Sequence, residues 1–264
     1  MRIKVLGCNG AELLSTDASG RKTCYNTSGF LIDDSVMLDA GTISASLPLE
    51  ALTRIREVLI SHVHFDHIKG LPFLADTVYG RIDSPIRLRG LEEILGGLKQ
   101  HLFNDTLWPD FTRLPEEGSP TFELQPLKEG GLNTVGHLRV TPIRVNHVIP
   151  ATGFIIEDEE GAVLYSGDTF ETGPLWEAAA RHPRLKAAMI EASFPDSMSE
   201  LAERSGHLTP RLLAREFEKI GRPGLPLLVY HMKPQFREEI SEEVRKLGIE
   251  NVRCLTDGET ITID

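Results

Sequence analysis

Short apolar runs recur along the whole chain, and several of them stop directly before an acidic residue or a histidine. Met1 to Leu6 alternates like a strand. Val58-Leu59-Ile60 precedes His62, Ile143-Arg144-Val145-Asn146 precedes His147, the run closing at Tyr165 precedes Asp168, and Leu228-Val229-Tyr230 precedes His231. Two hairpins are expected. One joins Ser28–Ile32 to Val36–Leu38 across Asp33-Asp34, and the other joins Ile155-Ile156 to Ala162–Tyr165 across a solvated acidic turn, Glu157 to Gly161. The period changes to that of a helix at Thr209 to Gly221, where Leu213, Phe217 and Ile220 share a face. Thr209 suits the N-cap, Pro210 the first helical position and Gly221 the stop. Phe236, Ile240, Val244 and Leu247 mark a last amphipathic helix ending at Gly248. Each half of the chain thus reads as several strands followed by helices, without a repeat of fixed period.

Composition narrows the class. The chain has 264 residues, enough for one large core, and it is expected to form a single domain over 1–264. Its net charge is −11, with no basic block, so an extended nucleic-acid track is not expected. No apolar run has the roughly 20 residues that a membrane span needs. The first residues carry no apolar signal-peptide core. Cys8, Cys24 and Cys254 are too few and too scattered for a disulfide framework, which points to a cytoplasmic setting.

The chemistry sits in the residues that end the apolar runs. His62, His64, Asp66 and His67 lie within six positions, crowding that metal ions would relieve. In extended backbone, residues two apart face the same way, so His62 and His64 can share one ion. Asp66 and His67 then turn toward a second ion as a helix begins near Ile68. With His147, Asp168 and His231 at other strand ends, seven nitrogen and oxygen donors can converge on one sheet edge, a pattern suited to two-metal hydrolysis.

His62-x-His64-x-Asp66-His67, followed in order by His147, Asp168 and His231, resembles the metallo-β-lactamase fold superfamily, and Leu38-Asp39-Ala40-Gly41 resembles its first motif. The resemblance implies an α/β, four-layer αββα sandwich with its metals in a groove at one edge of the sheets. It implies two zinc ions, for which manganese or iron can substitute. His62, His64 and His147 would hold one, Asp66, His67 and His231 the other, with Asp168 shared and Asp39 orienting a ligand from behind. The plainer alternative for Asp39 is a polar turn at a strand end.

Three further segments are similar to class II cyclic-nucleotide phosphodiesterases: Ile190 to Pro195, Gly206 to Pro210 and His231 to Pro234. They imply hydrolysis of 3′,5′-cyclic nucleotides to 5′-monophosphates, with a small nucleotide as the partner. His207 stands just ahead of a helix start, where it can bind phosphate or protonate the departing 3′ oxygen. A loop hydrogen bond is its plainer role. His207 and Asp66 are the candidate catalytic residues. Three alternatives stay open: a ribonuclease Z-like endonuclease, a thioester or lactone hydrolase, and a metal-binding scaffold without activity. Only 20 residues separate His147 from Asp168, which leaves no room for the long arm that most ribonuclease Z enzymes insert there to grip tRNA. The stretch from Gln100 to Pro120 is the least regular. Its Phe103, Trp108 and Phe111 are either a lid that stacks on a nucleobase or an ordered loop completing the core or a homodimer contact.

Overall fold

Two seven-stranded sheets lie face to face, and the apolar runs are apolar throughout because both sides of most strands are covered. The computed structural model describes residues 1–16, 19–116 and 119–263. Side chains alternate between faces along a strand, so each run serves two cores at once. Phe30, Ile32, Val36, Leu38 and Leu59 of the first sheet meet Phe154, Ile156, Val163, Tyr165, Met189 and Tyr230 of the second in the inter-sheet core. Their neighbours Leu31, Met37, Val58 and Ile60 turn outward against helices Gly70–Val78 and Glu92–His101. Leu164, Ala188, Ile190, Leu227 and Val229 turn outward on the other side, against helices Pro174–Arg181, Pro210–Glu218 and Arg237–Lys246. The result is the expected four-layer αββα sandwich.

Both sheets are mixed. The first runs Phe122–Pro126, Ile86–Gly90, Glu57–Leu59, Val36–Leu38, Gly29–Ile32, Arg2–Gly7 and Thr260–Thr262. The second runs Asn133–Val135, Leu138–Val145, Ala151–Glu157, Ala162–Tyr165, Leu185–Glu191, Leu227–Tyr230 and Val252–Cys254. Val36–Leu38 and Glu57–Leu59 are parallel neighbours, as are Ala162–Tyr165, Leu185–Glu191 and Leu227–Tyr230. Parallel neighbours put their C-terminal ends on one edge, where ligands bind in open α/β sheets. The polar residues that end the apolar runs therefore arrive together.

Both hairpins form. Asp33 and Asp34 take φ values of 44° and 62°, the left-handed centre of a tight turn closed by Ser35 N–H to Ile32 O at 3.2 Å, ahead of the Ile32–Val36 pair. Helix Pro210–Glu218 starts as expected, with the Thr209 hydroxyl accepting from the Leu212 amide at 3.5 Å, and Gly221 follows it with φ +68°.

One expectation needs correction. The helical turn after the histidine motif begins at Phe65, not near Ile68, so Asp66 and His67 are already helical and His64 is the residue capping them. A helical turn separates side chains by about 100° per residue, which is how Asp66 and His67 diverge from the extended pair His62 and His64. Of the two readings of the Gln100–Pro120 stretch, the ordered loop that completes the core holds for Phe103 and Phe111. Phe103 and Phe111 are buried in the core behind the first sheet, and Phe103 packs on Phe122 with ring centroids 5.5 Å apart. Half-buried Trp108 packs edge-on to Phe73.

Gly41 fits a place where no side chain fits, since a Cβ there would lie 1.9 Å from the Asp66 carbonyl oxygen. The same loop is clamped to the histidine turn by Ala40 N–H to His67 O and Gly70 N–H to Ala40 O, each 2.7 Å. Gly41→Ala should therefore destabilise the fold by about 1–3 kcal/mol, as overpacking does. Thermal unfolding should show a Tm lower by several degrees; an unchanged Tm would mean the loop yields freely.

Candidate metal centre

Loops after four strands carry the donor side chains into one groove. His62 and His64 follow Glu57–Leu59, His147 follows Leu138–Val145, Asp168 follows Ala162–Tyr165, and His231 follows Leu227–Tyr230, while Asp39 follows Val36–Leu38 behind them. The seven sequence-predicted donors form two sets. His62, His64, His147 and Asp168 offer atoms within 4.8 Å of one another, and so do Asp66, His67 and His231; a third such group, Asp168, His207 and His231, joins the two. Asp168 Oδ2 stands between the sets, 3.6 Å from His62 Nε2 and 3.3 Å from both His67 Nε2 and His231 Nε2. Its other oxygen is buried without a hydrogen-bond partner. A buried carboxylate oxygen left bare is costly unless something positive completes it. The donor set fits a divalent cation on that ground and on its chemistry of imidazole and carboxylate.

Each imidazole is oriented from behind. Asp39 accepts from His67 Nδ1 at 2.7 Å and from the Ser61 hydroxyl at 2.8 Å, and Ser61 Oγ in turn meets His62 Nδ1 at 3.0 Å. Glu191 repeats the arrangement in the second sheet. It lies 2.8 Å from His207 Nδ1 and accepts from the Ser193 hydroxyl at 2.9 Å, and Ser193 Oγ meets His231 Nδ1, also at 2.9 Å. His147 Nδ1 donates to the Gly206 carbonyl at 2.8 Å. With Nδ1 occupied in His62, His67, His147 and His231, Nε2 is the nitrogen each presents to the groove. His64 presents Nδ1 instead, 3.1 Å from both His62 Nε2 and His147 Nε2.

Asp39 and Glu191 thus each hold two imidazoles, one directly and one through a serine. The role expected for Asp39 has its geometry here. Glu191, Ser61, Ser193 and Tyr165, whose hydroxyl donates to Asp39 Oδ2 at 2.6 Å, were assigned no role from sequence. Glu191 did carry a signal, because it too ends an apolar run, Leu185 to Ile190.

Electrostatics favour cations. Burial, reinforced by His67, holds His62 well below its ordinary pKa, and burial with His147 lowers His64 to about 4. Both imidazoles are therefore neutral donors at neutral pH. Burial also works against charge on His67, but Asp168 and Asp39 outweigh it and hold that imidazole well above its ordinary value. Burial likewise opposes the negative charge on Asp66, yet His231 and His67 keep its carboxyl far below the usual range. His207 is raised: the charge on Glu191 overcomes its burial. Its Nδ1 lies 4.0 Å from Asp168, but Glu191 occupies that nitrogen.

The loops that achieve this are strained where they must be. Asp39 and His231 have φ of 53° and 66°, a region that non-glycine residues seldom occupy and that concentrates at functional sites. A Cβ on Gly10 would strike the His231 carbonyl oxygen at 2.7 Å, and one on Gly206 would stand 2.8 Å from His147 Nδ1.

The sequence profile of the beta-lactamase superfamily domain matches residues 30–232. The chain belongs to the beta-lactamase superfamily, and its fold is the metallo-β-lactamase fold. Among curated members of this superfamily, the chain is 28% identical over 223 residues to a probable 3′,5′-cyclic-nucleotide phosphodiesterase of Yersinia pestis, covering 73% of this chain and 61% of that protein. It is 29% identical over 239 residues to 3′,5′-cyclic-nucleotide phosphodiesterase 1 of Saccharomyces cerevisiae, covering 76% of this chain and 64% of that one. The chain thus spans less than two thirds of the length of these two relatives. The solved structure of unliganded yeast PDE1 superposes with a TM-score of 0.77 over 98% of both chains at 22% identity, a likeness of fold.

Asp39 receives four hydrogen bonds, from the Ser61 amide, the Ser61 hydroxyl, His67 and Tyr165. Asp39→Asn turns one acceptor into a donor facing donors. It should weaken divalent-metal affinity about 10–100-fold, the usual effect of losing a ligand's orienting partner. Competition against a chromogenic chelator measures this; affinity equal to that of the unaltered protein would make Asp39 a fold residue only.

Proposed function

We propose that this chain is a metal-dependent phosphodiesterase that opens 3′,5′-cyclic nucleotides to nucleoside 5′-monophosphates. The observation that carries the reading is the Glu191–His207 pair standing beside the seven-donor cluster, in a chain whose curated relatives include 3′,5′-cyclic-nucleotide phosphodiesterases of two organisms. His62, His64 and His147 would hold one zinc-class ion and Asp66, His67 and His231 a second, with Asp168 shared between them. Such ions, when bound, polarise phosphoryl oxygens and lower the pKa of water.

The chain's own part is orientation and proton supply. Asp39, Ser61, Ser193 and Gly206 fix which imidazole nitrogen faces the groove. Glu191 holds His207 by Nδ1 and favours its protonated form, leaving Nε2 with a proton to give. As water oxygen bonds to phosphorus and the bond to O3′ breaks, that proton passes to O3′, which would otherwise depart as an alkoxide. The buried position of His207 keeps solvent from competing for it. Against a ribonuclease Z-like role, the residues between His147 and Asp168 are taken up by the hairpin strands Ala151–Glu157 and Ala162–Tyr165, with no gripping arm. No helix among the described residues is long and apolar enough to cross a membrane, and all three cysteines are unpaired, which supports a reducing, cytoplasmic setting.

Side-by-side assays of cyclic AMP, cyclic GMP, bis-p-nitrophenyl phosphate and a precursor tRNA, each with added zinc or manganese, test the reading. Cyclic nucleotides should be converted to 5′-monophosphates and the tRNA left nearly intact. Efficient tRNA 3′ trimming without cyclic-nucleotide turnover would overturn it.

His207→Ala should keep its metal content yet lose about 10²–10⁴-fold in kcat on a cyclic nucleotide. On bis-p-nitrophenyl phosphate, whose leaving group needs no proton, the loss should be far smaller. Equal losses on both would assign His207 to phosphate binding, and loss of metal would make it a ligand.

A further inference from the structure

One groove outside the donor cluster opens directly from it. It encloses about 690 Å³, within the roughly 300–1,000 Å³ usual for small-ligand sites, and His64 forms the end nearest the cluster. Val63, Phe65, Leu107, Ile149 and Pro150 make its walls apolar. Two of these are large hydrophobic side chains left open to solvent, Phe65 at 63% exposure and Leu107 at 59%. Phe65 stands between two donors, His64 and Asp66, and lines the groove beside His64. Glu93 also lines the groove, but its carboxylate is paired with Arg144. Gln100 supplies the only side-chain amide among the lining residues.

The helix along this groove, Glu92–His101, has two glycines at its centre, Gly96 and Gly97. Glycine destabilises a helix interior relative to alanine, so each calls for a reason. Gly97 has one in packing, because a Cβ there would press on Val63 at 3.3 Å. Gly96 has none of that kind: a Cβ there would meet nothing within 4 Å, and the space it would enter is on the groove. The absence of a side chain at Gly96 keeps the groove deep.

We propose that this groove holds the flat heteroaromatic base of the substrate, with Gly96 as the residue that leaves room for it and Phe65 as a face for the ring. The inference rests on the phosphodiesterase reading for its substrate class. With the phosphoryl group at the donor cluster, the organic substituent beside His64 enters a channel of mainly apolar walls and of a size to take a base, where His101 and the Arg144-paired Glu93 are the titratable groups besides His64. The Gln100 amide can donate to or accept from a base edge, which gives orientation without selecting by charge.

The test reads binding rather than turnover, so it stands whether or not cyclic nucleotides prove to be the substrate. Calorimetric titration of the metal-loaded protein with AMP and with inorganic phosphate is compared for the unaltered chain, Gly96→Ala and Gly96→Leu. Gly96→Ala should raise Tm, and Gly96→Leu should not lower it, because the position is helical and open. Gly96→Leu should weaken AMP about tenfold, the scale of one stacked base, and leave inorganic phosphate within about twofold. Leu107→Ala, which removes a wall at an exposed position, should weaken AMP in the same selective way. AMP affinity unchanged in a folded Gly96→Leu protein would overturn the proposal. So would equal weakening of AMP and phosphate, or a shift between monomer and dimer with AMP affinity intact, which would make the groove a contact between copies. If AMP binding responds as expected but no cyclic nucleotide is cleaved, the groove stands and the functional reading falls.

Discussion

Two buried carboxylates hold four imidazoles, and the rest of the site follows from keeping those carboxylates satisfied. Asp39 binds His67 directly and His62 through Ser61, while Glu191 binds His207 directly and His231 through Ser193. A carboxylate without hydrogen bonds in a protein interior is strongly unfavourable, and one that accepts several donors is not. Each acid therefore has to be surrounded by donors, and the donors here are the rings that must be aimed. One requirement serves both needs. Burying the acids fixes the ring orientations, and the rings and serines make the burial tolerable.

The demand reaches into the backbone. Asp39 and His231 take left-handed φ values, and a Cβ on Gly41, Gly10 or Gly206 would collide with Asp66, His231 or His147 respectively. The inter-sheet core supports this from below. Tyr165 and Tyr230 stack with centroids 5.0 Å apart directly beneath the site, and their hydroxyls reach up to Asp39 and to the Gly167 carbonyl. Site and core are thus continuous, and loss of packing between the sheets would be felt as loss of ligand geometry.

A chain of net charge −11 has no general attraction for phosphate esters. The donor cluster is nonetheless a local centre of negative charge: surrounding imidazoles keep Asp66 and Asp168 ionised, so the groove favours cations, which in the proposed reading would attract an anionic ester. The apolar groove beyond His64 then has no need of charge. In the proposed reading, phosphate would be held at the strand ends and the organic group along helix Glu92–His101, so the two would be recognised in separate places.

The sequence by itself determined the elements and the donors. Alternating and continuous apolar runs marked the strands, Asp33-Asp34 a hairpin turn, Thr209-Pro210 and Gly221 the limits of a helix, and the residues ending the runs the seven donors. These are local signals, set by side-chain period, turn conformation and metal-ligand chemistry. What only the tertiary structure decided is non-local. The pairing of Arg2–Gly7 with Thr260–Thr262 joins the two ends of the described chain, and no local pattern records such a register. That Phe103 and Phe111 belong to the core depended on where the loop lands, not on its composition. The helical turn at Phe65 arose because the clamp from Ala40 and Gly70 holds the chain there. The two carboxylate–serine–imidazole relays unite residues that follow different strands, and the roles of Ser61, Ser193 and Glu191 emerge only when the sheets close. A hydrogen bond between distant residues leaves no mark on the sequence around either partner, which is why the donors were legible while, of the groups that aim them, only Asp39 was.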